Sequence, residues 1–264
     1  LAGAELPCVV VNCQRGGPGL GTIQPSQSDY NQCVKGGGHG DYNAIVLAPA
    51  SAQDMYDHVD LGFELAFKYR TPVIILADGI IGQMMEKVVL PDLQPRRTDE
   101  EIRQQCPWAT NGLGLKNRKY NFTSSLELEA PLMQDRNRAM TAKYNEISET
   151  EVRYDTYKTD DADVLLVAYG CSARISMSAV DNLRAQGIKA GLLRPITLWP
   201  FPAKEINALA DQCKKVFSVE LSEGQMVTDV RLAVGGKAPV SLIGRSGGVV
   251  FSPAEVCEEV IAKL

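Results

Sequence analysis

Along the second half of the chain, short apolar runs alternate with segments of helical period. The four runs are typical of buried strands and lie at residues 163–169, 189–193, 216–220 and 240–243. A segment with apolar residues at helical spacing follows each run, at residues 173–186, 203–214, 224–234 and from 253 onward. The last segment opens with a capping box formed by Ser252 and Glu255, with Pro253 at its first position. Strands that alternate with helices of about a dozen residues predict βαβ units and a parallel sheet.

The first half shows the same pattern over fewer elements. Strand-like runs occupy residues 7–13, 44–48 and 72–78, and one amphipathic helix separates the last two. Ser51 caps this helix and Asp54 stands at its third position. The apolar residues expected on its buried face are Met55, Val59, Phe63 and Phe67.

Three strands are few for a sheet that carries helices on both faces. The chain also enters a buried-type strand a few residues after Leu1. We therefore expect the first domain to be incomplete, with strands N-terminal to Leu1 missing. The alternative is a small three-stranded domain that packs against the second domain.

A long polar segment joins the two halves. Residues 91–159 contain four prolines, a turn-like sequence at 111–114 and a polar, helix-prone stretch at 132–156. We expect a connection with one helix, flanked by domains at residues 1–90 and 160–264.

Composition and charge narrow the classes of function. The 264 residues carry 27 basic and 32 acidic side chains, a net charge of −5. This balance argues against nucleic acid or an anionic membrane as the main partner. No apolar run approaches the roughly 18 residues of a membrane-spanning helix. We also expect no signal peptide, because no basic region precedes an apolar stretch.

The cysteines and histidines do not form a metal-binding pattern. Seven cysteines are widely spaced without a CxxC pair, and the two histidines are His39 and His58. Zinc sites and iron–sulfur clusters need clustered ligands, so we expect neither from this chain. The spacing favours reduced thiols and hence a cytoplasmic protein. His58 lies on the predicted helix among charged residues and is expected to be solvated.

The strongest candidate for a ligand-binding element is a glycine-rich loop. Residues 14–43 contain eight glycines and follow the carboxyl end of a strand, where α/β sheets bind ligands. Glycines let backbone amides approach an anion closely. Neither a GxGxxG fingerprint in the right frame nor a P-loop sequence is present. The loop therefore predicts either anion or ligand contact, or simple turn chemistry.

Two side chains in this loop are chemical candidates. Arg15 stands beside the first glycines, and a guanidinium binds a small oxoacid through two parallel hydrogen bonds. Its alternative role is a surface ion pair. His39 lies in an exposed glycine-rich stretch, where Asp41 is placed to orient it. Its alternative is a loop histidine without a chemical role.

Two further segments have open interpretations. Residues 169–174 form a strand-to-helix turn, either a phosphate site or a structural cap. Residues 194–202 place two aromatics among three prolines, which suits either a subunit contact or packing onto the same domain. Neither segment, nor any other, forms a complete active site. The residues therefore favour a chain that contributes to a shared site.

The order and spacing of several motifs resemble one enzyme family over essentially the whole chain. They are VVVNCQRGGP at residues 9–18, GGHGD at 37–41, IVLAP at 45–49, TPVIILAD at 71–78, VAYG and SAR within 167–174, and GLLRPITLWPFP at 191–202. These motifs resemble the α subunit of 2-oxoacid:ferredoxin oxidoreductases, of the 2-oxoisovalerate or 2-oxoglutarate type. They do not distinguish between these two substrates.

The resemblance implies an α/β fold with two domains. A partial thiamin diphosphate pyrimidine-binding domain precedes a transketolase C-terminal-like domain with a parallel sheet. The implied reaction is oxidative decarboxylation of a 2-oxoacid with coenzyme A, giving acyl-CoA, CO₂ and reduced ferredoxin. The part that carries the family's cofactor-activating glutamate is absent, so this chain resembles a C-terminal fragment that we expect to be inactive alone.

The resemblance also implies roles and partners. Arg15 matches the position expected to bind a substrate carboxylate, and Gly16, Gly17 and Pro18 are expected to contact the cofactor. This sequence departs from the family at residues 19–20, where Gly-Leu replaces two hydroxyl residues. A β subunit is expected to share thiamin diphosphate and to carry the magnesium and the iron–sulfur cluster. Further expected partners are a ferredoxin-like subunit, ferredoxin and a second copy bound through the C-terminal domain.

Two rival functions remain. One is a non-catalytic assembly subunit whose glycine loop only docks a partner, and in that case Arg15 is dispensable. The other is a transketolase-type or 2-oxoacid dehydrogenase-type component that does not use ferredoxin.

Overall fold

Two β-sheets organise the chain, and one strand of the second half belongs to the first sheet. The computed structural model describes residues 1–93, 95–110 and 121–264. Its strands are β1 (Cys8–Gln14), β2 (Ile45–Leu47), β3 (Pro72–Asp78), β4 (Tyr154–Tyr157), β5 (Val164–Ala168), β6 (Ala190–Pro195), β7 (Thr197–Trp199), β8 (Lys215–Glu220) and β9 (Val240–Gly244). Its helices are α1 (Tyr30–Val34), α2 (Ala52–Tyr69), α3 (Asp99–Gln105), α4 (Ala130–Thr150), α5 (Gly170–Ala185), α6 (Ala203–Ala210), α7 (Met226–Val234) and α8 (Pro253–Lys263). The predicted turn at 111–114 lies outside the described residues.

The first sheet has the order β1-β3-β2-β7. β1 and β3 pair in parallel from Cys8 opposite Pro72 to Gln14 opposite Asp78. β2 continues the parallel sheet on the other side of β3. β7 then pairs antiparallel with β2, although it lies about 150 residues later in the chain. β7 has only three residues, between Ile196 and Pro200, and this is too short to show an alternating pattern in the sequence.

The second sheet has the order β4-β6-β5-β8-β9. Its four parallel strands are those predicted from the apolar runs, and the expected α/β class is confirmed. β4 adds an antiparallel edge strand with mostly exposed residues. Sequence analysis assigned β4 to the polar connection, because its Tyr-Asp-Thr-Tyr sequence has no buried face to reveal it.

Helices cover both faces of the second sheet. On one face, α6 and α7 pack through residues such as Ile206, Met226 and Val230. On the other face, α5 and α8 pack through residues such as Val180 and Val256. The predicted capping box of α8 is confirmed, with the Ser252 hydroxyl and the Glu255 carboxylate bonded to each other's backbone N–H groups. This half therefore forms three layers, with helices on both faces of the sheet.

The α2 helix is correct in its cap but not in its predicted buried face. The Ser51 hydroxyl accepts from the Asp54 backbone N–H at 2.9 Å. Of the predicted face, Met55 packs against the core, but the prediction is wrong for Phe63 and Phe67, which are about half exposed. The buried residues of the helix are His58, Gly62, Leu65, Ala66 and Tyr69.

His58 is buried rather than solvated, so that expectation is also wrong. It lies one turn after Asp54, on the side of α2 that packs inward. Burial lowers the pKa of its imidazole from the ordinary value of 6.5. The neighbouring Asp57 and Asp60 concealed this position in the sequence, because both are exposed although they flank a buried residue.

The predicted thirty-residue loop is not fully irregular. It contains α1, which buries Tyr30, Cys33 and Val34. The predicted connecting helix is present as α4. Among the described helices, none combines the length and hydropathy required to cross a bilayer.

Candidate functional site

A cleft of about 560 Å³ lies where the glycine-rich loop meets the loops after β8 and β9. Its first wall comes from the first half: Arg15, Gly17, Pro18, Gly19, Ser26, Ser28 and Asp29. Its second wall comes from the second half: Ser222, Glu223, Gln225, Ser246 and Gly247. Carboxyl ends of β1, β8 and β9 therefore converge on this cleft, as expected for ligand sites of α/β sheets.

Gly16 brings the two walls into backbone contact. A Cβ at this position would lie 2.6 Å from a Thr22 methyl, 2.8 Å from the Gly247 carbonyl carbon and 3.0 Å from the Gly248 nitrogen. The Gly16 N–H also donates to the Gln24 carbonyl at 2.8 Å. A side chain there would push the walls apart, so glycine is required by the close approach.

Arg15 lines the cleft with its guanidinium folded towards its own loop. Nη1 donates to the carbonyls of Leu20 and Thr22, and Nη2 donates to that of Gly19 at 3.3 Å. Within the described parts of the chain, no acceptor is found for its Nε–H. The Nε side of the guanidinium is the edge that a carboxylate binds through two parallel bonds. Arg15 therefore both closes the glycine loop and keeps one binding edge.

The second wall is held by a buried carboxylate. Glu220 ends β8, and its oxygens accept from the backbone N–H groups of Gln225, Met226 and Val227, each at 2.9 Å. The Ser222 hydroxyl adds a bond of 2.7 Å. Because these amides open α7, the negative charge also faces the positive end of the helix dipole. The loop between β8 and α7 is therefore rigid where it lines the cleft.

A second buried carboxylate closes the turn at 169–174. Asp78 ends β3, and its Oδ2 accepts from the Cys171 N–H at 2.7 Å while Oδ1 accepts from Ile80 and Ile81 at 3.1 Å. Gly170 adopts a φ of +57°, and a Cβ there would lie 2.4 Å from Asp78 Oδ2. The helix N-terminus is therefore occupied by a protein carboxylate, which favours the structural cap over the phosphate site.

The tyrosine and the cysteine beside this junction stay neutral. Burial raises the pKa of the Tyr169 phenol well above its usual range. Burial, together with the charge of Asp78, also raises the pKa of the Cys171 thiol. Neither group supplies a nucleophile or a base near pH 7.

The other predicted residues lie apart from the cleft. His39 is exposed and is not among the residues that line it. The aromatic segment packs inward: Trp199 meets Tyr144 edge-on with ring centroids 5.8 Å apart, and Leu198 is fully buried. This contact favours packing onto the same chain over a subunit contact.

Sequence reasoning missed three polar residues that hold the cleft. Asp78 and Glu220 are the last residues of β3 and β8, and Gln27 is buried in the glycine loop. An acid at the end of an otherwise apolar strand was a usable signal, since such ends meet at one edge of a parallel sheet. Gln27 had no local signal.

Comparison with known families defines the class of protein. The family model "Pyruvate flavodoxin/ferredoxin oxidoreductase, thiamine diP-bdg" matches residues 1–163. The model "Pyruvate:ferredoxin oxidoreductase core domain II" matches residues 162–256. The two halves on either side of the cleft are thus the thiamin-diphosphate-binding domain and the core domain of an oxidoreductase.

Individual relatives agree with this class. The chain is 46% identical to ketoisovalerate oxidoreductase subunit VorB of Methanothermobacter thermautotrophicus, over 98% of this chain and 72% of VorB. It is 32% identical to 2-oxoglutarate synthase subunit KorA of Methanothermobacter marburgensis, over 97% of this chain and 74% of KorA. The chain therefore belongs to the pyruvate flavodoxin/ferredoxin oxidoreductase family, and the resemblance to 2-oxoacid:ferredoxin oxidoreductase α subunits is confirmed.

A solved structure has the same fold. The 2-oxoglutarate:ferredoxin oxidoreductase from Magnetococcus marinus, with 2-oxoglutarate, coenzyme A and succinyl-CoA bound, matches with a TM-score of 0.76 and 24% identity. The match covers 98% of this chain and 49% of that chain, so this chain spans about half the length of the matched structure.

Proposed function

We propose that this chain is the α-subunit part of a thiamin-diphosphate-dependent 2-oxoacid:ferredoxin oxidoreductase and supplies one wall of the cofactor site. The reaction is oxidative decarboxylation of a 2-oxoacid with coenzyme A to acyl-CoA, CO₂ and reduced ferredoxin. The cleft between the two halves carries this proposal, because it combines a glycine-rich backbone with a single guanidinium at the carboxyl ends of the strands.

Arg15 is the residue that we assign to the substrate carboxylate. Its Nε edge faces no protein acceptor among the described residues, while its other nitrogens are fixed by the loop carbonyls of Gly19, Leu20 and Thr22. A guanidinium held in this way loses little side-chain freedom when it binds an anion. Arg15 thereby orients the 2-oxoacid with its keto group towards the cofactor.

The charge of the cleft favours a monocarboxylic 2-oxoacid with an apolar side chain. Arg15 is the one cation among the described lining residues, whereas Asp29 and Glu223 are both acidic. A second substrate carboxylate would meet these acids without a cationic partner. Gly19 also provides no hydroxyl at the position where the sequence departs from its family. The higher identity to a ketoisovalerate subunit than to 2-oxoglutarate subunits supports the same class.

The lining fits part of thiamin diphosphate. When bound, this cofactor supplies the electron sink that decarboxylation of a 2-oxoacid requires. Hydroxyl groups of the two walls and the backbone of Gly17 and Gly19 suit the organic end of the cofactor, and we retain Gly16, Gly17 and Pro18 as its contacts. In the described ranges, no group of three or more His, Cys, Asp or Glu residues is placed to hold a metal. We assign the magnesium and the iron–sulfur cluster to a β subunit.

The open edge of the first sheet supports a shared site. β1 is the terminal strand of that sheet, and its Val10 and Val11 are 46% and 51% exposed. An edge strand with exposed apolar side chains normally pairs with or is covered by other polypeptide. We propose that such polypeptide completes the first sheet and the cleft, with a β subunit and a ferredoxin-like subunit as partners. A dimer through the C-terminal domain rests on the family resemblance.

Arg15→Ala in the assembled enzyme tests the assignment. We expect the KM for the 2-oxoacid to rise roughly tenfold or more, because a charge-assisted bidentate contact is lost. Arg138→Ala, on the exposed side of α4, serves as the matched control and should leave KM unchanged. Unaltered kinetics for Arg15→Ala would favour the non-catalytic assembly subunit instead.

The substrate class is tested with the same enzyme. We expect a branched-chain 2-oxoacid to be used at a higher kcat/KM than 2-oxoglutarate. Preference for 2-oxoglutarate would contradict the assignment from the charge of the cleft. A separate test uses this chain alone. It should show no turnover and only weak binding of thiamin diphosphate. Tight binding of the cofactor by the lone chain would contradict a shared site.

A further inference from the structure

We propose that Gln27 is a positioning residue for the reaction: its buried side chain joins the two walls of the cleft and thereby sets the position of Arg15. The inference rests on the proposed function, because it takes Arg15 as the substrate-binding group. Gln27 is fully buried and does not line the cleft, whereas Ser26 and Ser28 on either side of it do. Any effect of Gln27 on substrate is therefore transmitted through other residues.

The Gln27 side chain makes three hydrogen bonds to the second half. Its Nε2 donates to the Tyr169 carbonyl at 2.9 Å. Its Oε1 accepts from the Ser172 hydroxyl at 2.9 Å and from the Leu221 N–H at 3.0 Å. The Gln27 backbone N–H donates to the Leu221 carbonyl at 2.8 Å. An amide buried with this many partners has a single orientation.

These partners lead directly into the second wall. Leu221 precedes Ser222 and Glu223, which line the cleft. The Ser26 hydroxyl donates to the same Leu221 carbonyl at 3.1 Å. Gln27 therefore fixes the register between the wall residues of the first half and those of the second half at one point.

A second glutamine makes the reciprocal contact. Gln225 Nε2 donates to the Ser28 carbonyl at 2.6 Å, and its Oε1 accepts from the Asn31 N–H at 2.8 Å. Unlike Gln27, Gln225 lines the cleft and is placed to touch a ligand. Gln27 is therefore the better probe, because its replacement changes wall positions without removing a contact to the ligand.

The link from Gln27 to Arg15 is short. Arg15 and Pro25 form an isolated antiparallel bridge, and the Gly16 N–H donates to the Gln24 carbonyl at 2.8 Å. The loop that carries the guanidinium is thus closed two residues before Gln27. When Gln27 shifts, Pro25 and its bridge partner Arg15 shift with it.

The test uses Gln27→Met in the assembled enzyme. Methionine has a similar length and an unbranched chain but makes none of the three amide hydrogen bonds. We expect the KM for the 2-oxoacid to rise about tenfold while kcat changes less than about threefold. Tyr69→Phe is the matched control, because it removes a buried hydrogen bond of 2.6 Å to Glu151 far from the cleft. The control should lower thermal stability without a change in KM.

A double-mutant cycle with Arg15→Ala separates positioning from general destabilisation. If Gln27 acts through Arg15, Gln27→Met adds no further increase in KM to the Arg15→Ala enzyme. An unchanged KM in Gln27→Met, or a full additional tenfold increase in the double variant, overturns the proposal. If Gln27→Met does not fold, Ser172→Ala removes one of the three bonds and should raise KM two- to threefold, again only when Arg15 is present.

Hydrogen exchange distinguishes failure of this proposal from failure of the proposed function. If Arg15→Ala alone leaves KM unchanged, the substrate assignment is wrong. The positioning role of Gln27 is then judged by hydrogen exchange in residues 16–29 and 221–226, which should be faster in Gln27→Met and unchanged in Tyr69→Phe. Equal exchange in wild type and Gln27→Met would overturn the positioning role independently of any substrate.

Discussion

The two sheets of this chain differ in how completely they are covered. The second sheet has α6 and α7 on one face and α5 and α8 on the other, and its central strand β5 is entirely buried. The first sheet ends in β1, whose Val10 and Val11 are half exposed, and it is completed on the other side by a strand from the second half. The comparison shows that helices of this chain cover both faces of the second sheet, whereas the first sheet leaves apolar side chains of its edge strand exposed.

The largest expected difference between the sheets is in hydrogen exchange. β5 lies between β6 and β8, so its amides are paired on both sides, whereas an edge strand such as β1 leaves half of its amides without a strand partner. In this chain alone, we expect the peptide covering Val164–Ala168 to exchange roughly a thousandfold more slowly than that covering Cys8–Gln14. Mass spectrometry of both peptides checks this. Equal protection of the two strands would show that β1 is not an open edge.

The next largest effect concerns the carboxylate that joins the two sheets. Asp78→Ala leaves the buried N–H groups of Ile80, Ile81 and Cys171 without their acceptor. We expect the free energy of unfolding to fall by roughly 3 kcal/mol, measured by urea denaturation. Asp155→Ala, which removes an exposed carboxylate from β4, should change it by less than about 0.5 kcal/mol. Equal effects of the two substitutions would mean that the Asp78 hydrogen bonds do not stabilise the junction.

A smaller effect distinguishes the buried His58 from the exposed His39 by pH. Burial lowers the pKa of His58 below its value of about 6.5 in the unfolded chain, so the unfolded state binds a proton that the folded state does not. Stability should therefore fall as pH drops below about 6.5, by no more than about 1.4 kcal/mol for each pH unit. His58→Gln should remove this part of the slope in thermal melts at several pH values. His39→Gln, at the exposed histidine, should retain it.

The smallest expected effects compare two capping boxes. Ser252 caps α8, which packs on the second sheet, whereas Thr98 caps α3, which buries no residue. Ser252→Ala should lower the free energy of unfolding by about 1 kcal/mol. Thr98→Ala should leave global unfolding unchanged, because α3 contributes no buried contact that the transition would detect. A loss of stability in Thr98→Ala would indicate that α3 packs more closely than its exposure shows.

Much of the fold was predictable because its signals are local. The apolar run at 72–78 coincides with β3, and the capping box at Ser252 marks the start of α8. The prediction for α2 was wrong at Phe63 and Phe67, which have the period of a buried face but which the described residues leave about half exposed. A hydrophobic period states which residues share a face, but not whether a neighbour covers it.

The candidate site was less predictable. Arg15 and its glycines were found from composition and from the resemblance, and the structure places them at a cleft. Their role in substrate and cofactor binding remains a prediction. The role of Gln27 could not be predicted, because its hydrogen-bond partners Tyr169 and Leu221 lie 142 and 194 residues away in the sequence. Long-range polar networks follow from topology, which single-residue propensities do not specify.

The β7 strand, which the second half contributes to the first sheet, has a consequence for expressing the two halves separately. Because β7 completes the first sheet from within the second half, a cut at the sequence boundary near residue 160 removes the outer neighbour of β2. A recombinant first half would then have unpaired edge strands, β1 and β2, on both sides of its sheet. It would be prone to self-association through these edges. Dissection experiments on this molecule should therefore carry residues 197–199 with the amino-terminal piece, as an appended strand.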